Sequence, residues 1–306
     1  MDITTYIIII AFGLVIGSFL TVCIYRIPLG RVKGIVDLDL PEEEEEKKSD
    51  DSVKSESDVV EPKVTIADPP RSFCPSCNKQ LHWYHNIPVF SWLFLRGKCG
   101  LCSAPISVRY PFVELLSAIS CVLSVVVFGL SPTAFLIYVF CAALIVISFI
   151  DYDYYIIPNV ISIPGTVIGI VIGVINQFFG VFHAPVASGI IESGAGLLLG
   201  GGFLLIISEF YIRVRKKVGL GVGDIKLLAM TGAFFGPEAA LYTIFVGSLL
   251  GTIFGVAIIL IQRQKVSHPI PFGPYLAAGT FLYLFVGVEL IVKAREFVMM
   301  LCGLGS

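Results

Sequence analysis

Apolar residues run along this chain in long blocks separated by short polar breaks. The first block, residues 3–25, is long enough to cross a bilayer, which takes about 20 residues of helix. Further blocks follow at about 112–130, 133–150, 160–180, 188–212, 225–235, 239–262 and 271–293. The pattern predicts an all-α polytopic membrane protein with about eight transmembrane helices. The block at 225–235 is too short to span. It is either re-entrant or begins inside the protein, where the glycine-rich turn before it lines a cavity. No basic segment precedes the first block and no small-residue cleavage site follows it, so it reads as an anchor and not as a signal peptide.

The polar breaks set the orientation. Arg26, Arg31 and Lys33 follow the first block, Arg109 precedes the second, Arg213, Arg215, Lys216 and Lys217 follow the fifth, and Arg263 and Lys265 precede the eighth. The positive-inside rule places all these on the cytoplasmic face. Residues 26–110, 151–159 and 213–224 then share that face, with the N-terminus outside. Composition agrees with the membrane reading: 56% of residues are hydrophobic and 14% charged, against about a quarter charged in soluble domains. The net charge of -2 conceals an acidic insert, since residues 37–68 hold 13 of the 23 Asp and Glu and 4 of the 21 Lys and Arg. The stretch from Val36 to Pro70 buries too little apolar surface to order itself and reads as a disordered insert. No strongly basic patch stands out, which argues against nucleic acid as a partner.

Two constellations carry chemistry. Cys74-Pro75-Ser76-Cys77 and Cys99-Gly100-Leu101-Cys102 form two C-x2-C knuckles separated by 21 residues. Four thiolates at this spacing close a tetrahedron around a structural Zn2+ with no position left for catalysis. A reducing compartment favours metal over disulfides. His82 and His85 lie inside this module and are expected to bond locally. Cys23, Cys121, Cys141 and Cys302 sit in apolar blocks as buried thiols.

The second constellation is a pair of acids at block ends. Gly219, Gly221 and Gly223 alternate before Asp224, which enters the short block. A carboxylate beside hydrocarbon costs at least about 2.5 kcal/mol, so such a residue needs a partner or a task. Gly221 and Gly223 lack side chains and let a peptide backbone approach the acid closely. Asp151 ends the third block and Asp153 follows two residues later, pointing elsewhere on a helix. Asp151 and Asp224 fall on the same face of the membrane. Two carboxylates sharing a site hold one proton between them, leaving one as base and one as acid. Glu114, Glu192, Glu209 and Glu289 lack a comparable setting and read as bundle contacts.

Taken together, these segments resemble the type IV prepilin peptidases, the leader peptidase/N-methyltransferases of the GxGD class of intramembrane aspartic proteases. Gly17-Ser18-Phe19-Leu20 with Tyr25-Arg26-Ile27-Pro28 resembles the first-span signature. Cys74 to Glu114, with Asn86-Ile87-Pro88, Leu95-Arg96-Gly97-Lys98-Cys99 and Arg109-Tyr110-Pro111, is similar to the cytoplasmic domain. Asp151 with Pro158, Gly221 to Asp224 with Lys226, and Pro271-Phe272-Gly273-Pro274 match the later motifs. The resemblance implies catalysis by Asp151 and Asp224, with Gly221, Gly223, Asp153 and Lys226 binding substrate or supporting the pair. It implies cleavage of type IV prepilins or pseudopilins after a glycine, methylation of the new N-terminus from S-adenosylmethionine, and work beside pilus or type II secretion machinery in a bacterial inner membrane. Gly97 and Glu114 are candidate methyl-donor residues only through their place in the family block. The chain departs from the family at Pro158-Asn159, where Pro-Asp is usual, and in its long acidic insert.

The expected division is a first transmembrane helix over 1–25, a linker with the acidic insert over 26–71, a zinc-binding cytoplasmic domain over 72–110 and a multi-span peptidase over 111–306. Two other classes use the same features: a non-catalytic membrane docking protein with a zinc-binding module, and an ion-coupled transporter with broken helices.

Overall fold

A computed structural model describes residues 2–32, 74, 76–77, 79–216, 221–262 and 271–288. The acidic insert, Val218 to Leu220, Lys33, Lys217, Arg263, Lys265, Glu289 and Cys302 lie outside these residues. The described chain is helical, with one isolated antiparallel bridge, Lys98 to Pro105. It is an all-α polytopic membrane protein. Helix α1 covers Ile3–Val32, α2 the single turn Phe90–Phe94, α3 Arg109–Phe128, α4 Pro132–Tyr154 and α5 Asn159–Phe179. Helix α6, Ile190–Leu197, runs through a π-helical turn at Leu198–Phe203 into α7, Leu204–Arg215; α8 is Val222–Gln262 and α9 is Gly273–Leu282.

Six of these helical segments are long and apolar enough to cross a membrane, and Gly273–Gly287 is a shorter apolar helix. The expected eight blocks are all present, because α8 holds two of them. It breaks at Gly236, whose φ of 82° only glycine adopts cheaply, and Pro237 follows without an N–H to give. A Cβ on Gly200 would touch the backbone of Leu228 and lie 3.3 Å from the Cβ of Ala240. A straight helix would hold those two residues about 18 Å apart, so the arms fold back beside one another. The first arm, residues 222–235, is too short to span and is enclosed by protein: Leu227, Leu228, Met230, Thr231, Ala233 and Phe235 are buried. The short block is therefore the first arm of α8, exposed at Val222 and at Gly221 just before it, and largely buried from Ile225 onward.

Close crossings need small residues. Helix α1 meets α3 at Gly13 and Gly17, where a Cβ would come within 2.6 Å of Ala118 Cα and Glu114 Cα respectively. The Ser117 hydroxyl bonds across this crossing to the Gly13 carbonyl at 2.8 Å. Lipid tails are as apolar as leucine, so contact area and interhelical hydrogen bonds, not the hydrophobic effect, hold such a crossing. The main core lies between α4, α5, α8 and α9, with Ile137, Phe140, Ile147, Phe234, Phe235 and Leu276 among its buried members. Large side chains on the outer faces, such as Phe245 and Leu260, are exposed, as lipid-facing positions require.

Candidate active site and metal centre

Asp151 lies in the last turn of α4, buried to 5% exposure. Its Oδ2 accepts the backbone N–H of Gly273 at 2.9 Å, at the very start of α9. Only a glycine fits there, since a Cβ would stand 2.7 Å from that oxygen. Asp224 lies in the first turn of α8 and accepts a hydrogen bond from the Gly221 backbone. This is the reach-back of a helix capping box, in which a residue three positions into the helix satisfies the N-terminal N–H. Each acid is thus oriented by one glycine amide. Asp151 and Asp224 lie close enough to interact electrostatically. Burial of two carboxylates against each other is costly unless a proton is shared.

The remaining candidates separate. Asp153 turns away from Asp224 to pair with Arg109, which also donates to the Phe149 carbonyl at 3.0 Å and lies over the Phe149 ring at 4.7 Å. This pins the end of α4 to the start of α3. Lys226 Nζ donates to Asn159 Oδ1 at 2.9 Å. Asn159 therefore works as an acceptor at the position where the resemblance leads one to expect an acid.

At Gly223 a Cβ would meet Ile157 Cβ at 3.0 Å. The absent side chain makes room for the chain's own loop between α4 and α5. Gly221 is exposed, and a Cβ on it would meet only the Asp224 carboxylate, at 2.9 Å. Neither glycine adopts a left-handed φ. The Gly273 amide was missed among the site residues, although its Pro271 to Pro274 motif was legible; a backbone donor leaves no side-chain signature.

The four cysteines of the module converge. All four sulfurs lie within 4.8 Å of one another, and Cys74 and Cys102 are 3.8 Å apart. A tetrahedron with metal–sulfur bonds of about 2.3 Å has edges of about 3.8 Å, so the donor set fits one ion. None of the four is in a disulfide. The knuckles are shaped by backbone bonds from Cys74 N to the Lys79 carbonyl (3.0 Å) and from Cys99 N to the Ala104 carbonyl (2.8 Å). Burial raises the Cys74 thiol, but bonds from the Cys77 and Ser76 backbone and from neighbouring thiols outweigh it and bring it down to about 7. His82 and His85 stay outside the sulfur cluster; His82 stacks on Tyr84 and His85 meets that ring edge-on.

Glu114 is buried on α3, beneath the cysteine module, and its Oε2 accepts the Val89 N–H at 2.7 Å. Gly97 has a φ of 69° and packs behind Trp92, where a Cβ would meet the indole at 3.0 Å.

Residues 11–128 match the Bacterial Peptidase A24 N-terminal domain and residues 138–256 match the Type IV leader peptidase family. The chain belongs to the type IV leader peptidase family. Among its relatives, the Prepilin leader peptidase/N-methyltransferase of Aeromonas salmonicida is 35% identical over 283 residues, covering 90% of this chain and 89% of the relative. The protein of that name from Burkholderia pseudomallei is 34% identical over 278 residues, covering 91% and 84%. The one from Xanthomonas campestris is 32% identical over 281 residues, covering 91% and 90%. No solved structure matches. Both matched segments contribute to the geometry above: Glu114 and the cysteines fall in the first, Asp151 and Asp224 in the second.

Proposed function

We propose that the protein is a membrane aspartic endopeptidase that removes the leader from type IV prepilins or pseudopilins and then methylates the new N-terminus. Support for the peptidase half comes above all from the pairing of Asp151 with Asp224 at adjacent helix ends, each held by a glycine amide. One carboxylate takes a proton from water as the water attacks the scissile carbonyl, and the other gives a proton to the carbonyl oxygen. Gly273 occupies Asp151 Oδ2, which leaves Oδ1 as the atom facing the reaction.

The site lies in a multi-span domain over 111–306, with the four-cysteine domain over 72–110 on the same end of the bundle. That end faces the cytoplasm of a bacterial inner membrane, by the positive-inside rule. The substrate's apolar helix lies in the bilayer and its basic leader stays at the cytoplasmic face, beside the pilus or type II secretion apparatus. Cys74, Cys77, Cys99 and Cys102 hold Zn2+, which closes their loops and leaves no open coordination position. S-adenosylmethionine, the donor that an N-methyltransferase name implies, supplies an electrophilic methyl group when bound.

Purified protein in detergent, mixed with a prepilin, tests this directly. Asp151→Asn and Asp224→Asn should each abolish cleavage, and wild-type rates in either variant would reject the aspartic mechanism.

A further inference from the structure

A cavity of about 340 Å3 lies between α1, the start of α3 and the cysteine module, within the size range of small-molecule sites, about 300–1,000 Å3. Its wall brings together groups that are rarely buried. Arg26 and Glu114 both line it and both are almost fully buried. The Glu114 carboxylate accepts the Val89 N–H and the Ser18 hydroxyl, so it is held in place from two sides. Trp92 and Tyr110 give it aromatic surface, and the indole is fixed by its bond to the Ile106 carbonyl at 3.1 Å. His85 also lines it, and the buried Nδ1 of that ring has no hydrogen-bond partner among the described residues. A buried nitrogen left without a partner is destabilising unless something bonds to it.

These groups match one kind of molecule: a small zwitterion with a flat aromatic ring. An ammonium or sulfonium suits Glu114, a carboxylate suits Arg26, and a purine suits the rings and the open nitrogen of His85. S-adenosylmethionine has all of these parts. We infer that this cavity is the methyl-donor site, with Glu114 holding the donor's cationic end and Gly97 serving from behind as the support of the Trp92 wall. The inference rests on the methylation reading above. A second cavity, about 230 Å3, shares Thr21, Tyr25, Ser107 and Tyr110 with the first and reaches Arg109 and Asp153.

The test is binding, read without turnover. Full-length, metal-loaded protein in detergent is titrated with labelled S-adenosylmethionine by equilibrium dialysis. Wild type should bind saturably, and Glu114→Gln and Val22→Phe should each weaken binding by roughly tenfold or more, a loss of about 1.4 kcal/mol. Val22 lines the cavity from α1, so its enlargement fills the space without touching a charge or a cysteine, and decides the matter if Glu114→Gln fails to fold. Photocrosslinked donor should map to peptides containing Trp92 or Tyr110. Saturable binding to wild type with Val22→Phe within twofold overturns the cavity assignment while methylation stands. No saturable binding to wild type removes the methylation reading itself, and the cavity assignment with it.

Discussion

The acid pair and the cysteine cluster lie in one chain, yet they are held together in opposite ways. Around Asp151 the packing is complete: α4, α8 and α9 bury Ile147, Ile150, Leu227, Leu228 and Leu276 within a few residues of the carboxylates. Around the cysteines there is almost no core. Between residues 74 and 108 the described residues that are buried are Cys74, Gly97 and Cys99, and α2 buries none. A segment of that size lacks the apolar area to offset its own ordering entropy. The acid site is therefore shaped by packed helices, whereas the module has four converging thiols that could hold an ion in place of a core. It follows that the two regions should fail independently.

The sharpest break of this contrast is loss of an acid. Asp151→Asn or Asp224→Asn should lower prepilin cleavage by roughly a thousandfold or more while bound metal stays at the wild-type level; a variant that also lost its metal would mean the regions are coupled. Next comes metal removal. A strong chelator should abolish hydrogen-exchange protection in residues 74–108 and leave α4, α8 and α9 protected, because the ion supplies the module's folding energy. Protons compete with metal for the thiolates. Retained metal should consequently fall as the medium is acidified; retention that does not change with acid would count against a thiolate site.

A smaller effect sharpens the role of Gly223. Gly223→Ala should reduce cleavage by about tenfold through its contact with Ile157, and adding Ile157→Ala should recover most of the loss. No recovery in the double variant would return the glycine to the substrate. The smallest effect is expected at Asn159. Asn159→Asp keeps the acceptor for Lys226 and adds a half-exposed ion pair, worth about 0–1 kcal/mol, so cleavage should stay within about threefold and the melting temperature within a few degrees.

How much of this was legible beforehand varies by element. The cysteine knuckles needed no coordinates, because metal-ligand spacing is local and four thiols have few other uses. Most helix limits followed from hydropathy, since a bilayer forces apolar runs of fixed length. The two acids were legible as a cost to be explained. Helix geometry already turned Asp153 away from the pair, but its partner was not legible, since Arg109 lies 44 residues earlier. Gly223 was legible as a place of close approach but its neighbour was not, because a missing side chain does not record that Ile157 is what comes close.

By itself, then, the sequence determined the solvent each segment requires, the position of the metal ligands and the presence of two acids at helix ends. Those properties depend on side-chain type and spacing along one stretch of chain. Only the tertiary structure decided that α8 turns back at Gly236, that the Gly273 amide holds Asp151, and that Arg26, Trp92 and Glu114 enclose a cavity. Each of these joins residues far apart in the chain through backbone groups or close approach, and neither leaves a mark in local composition.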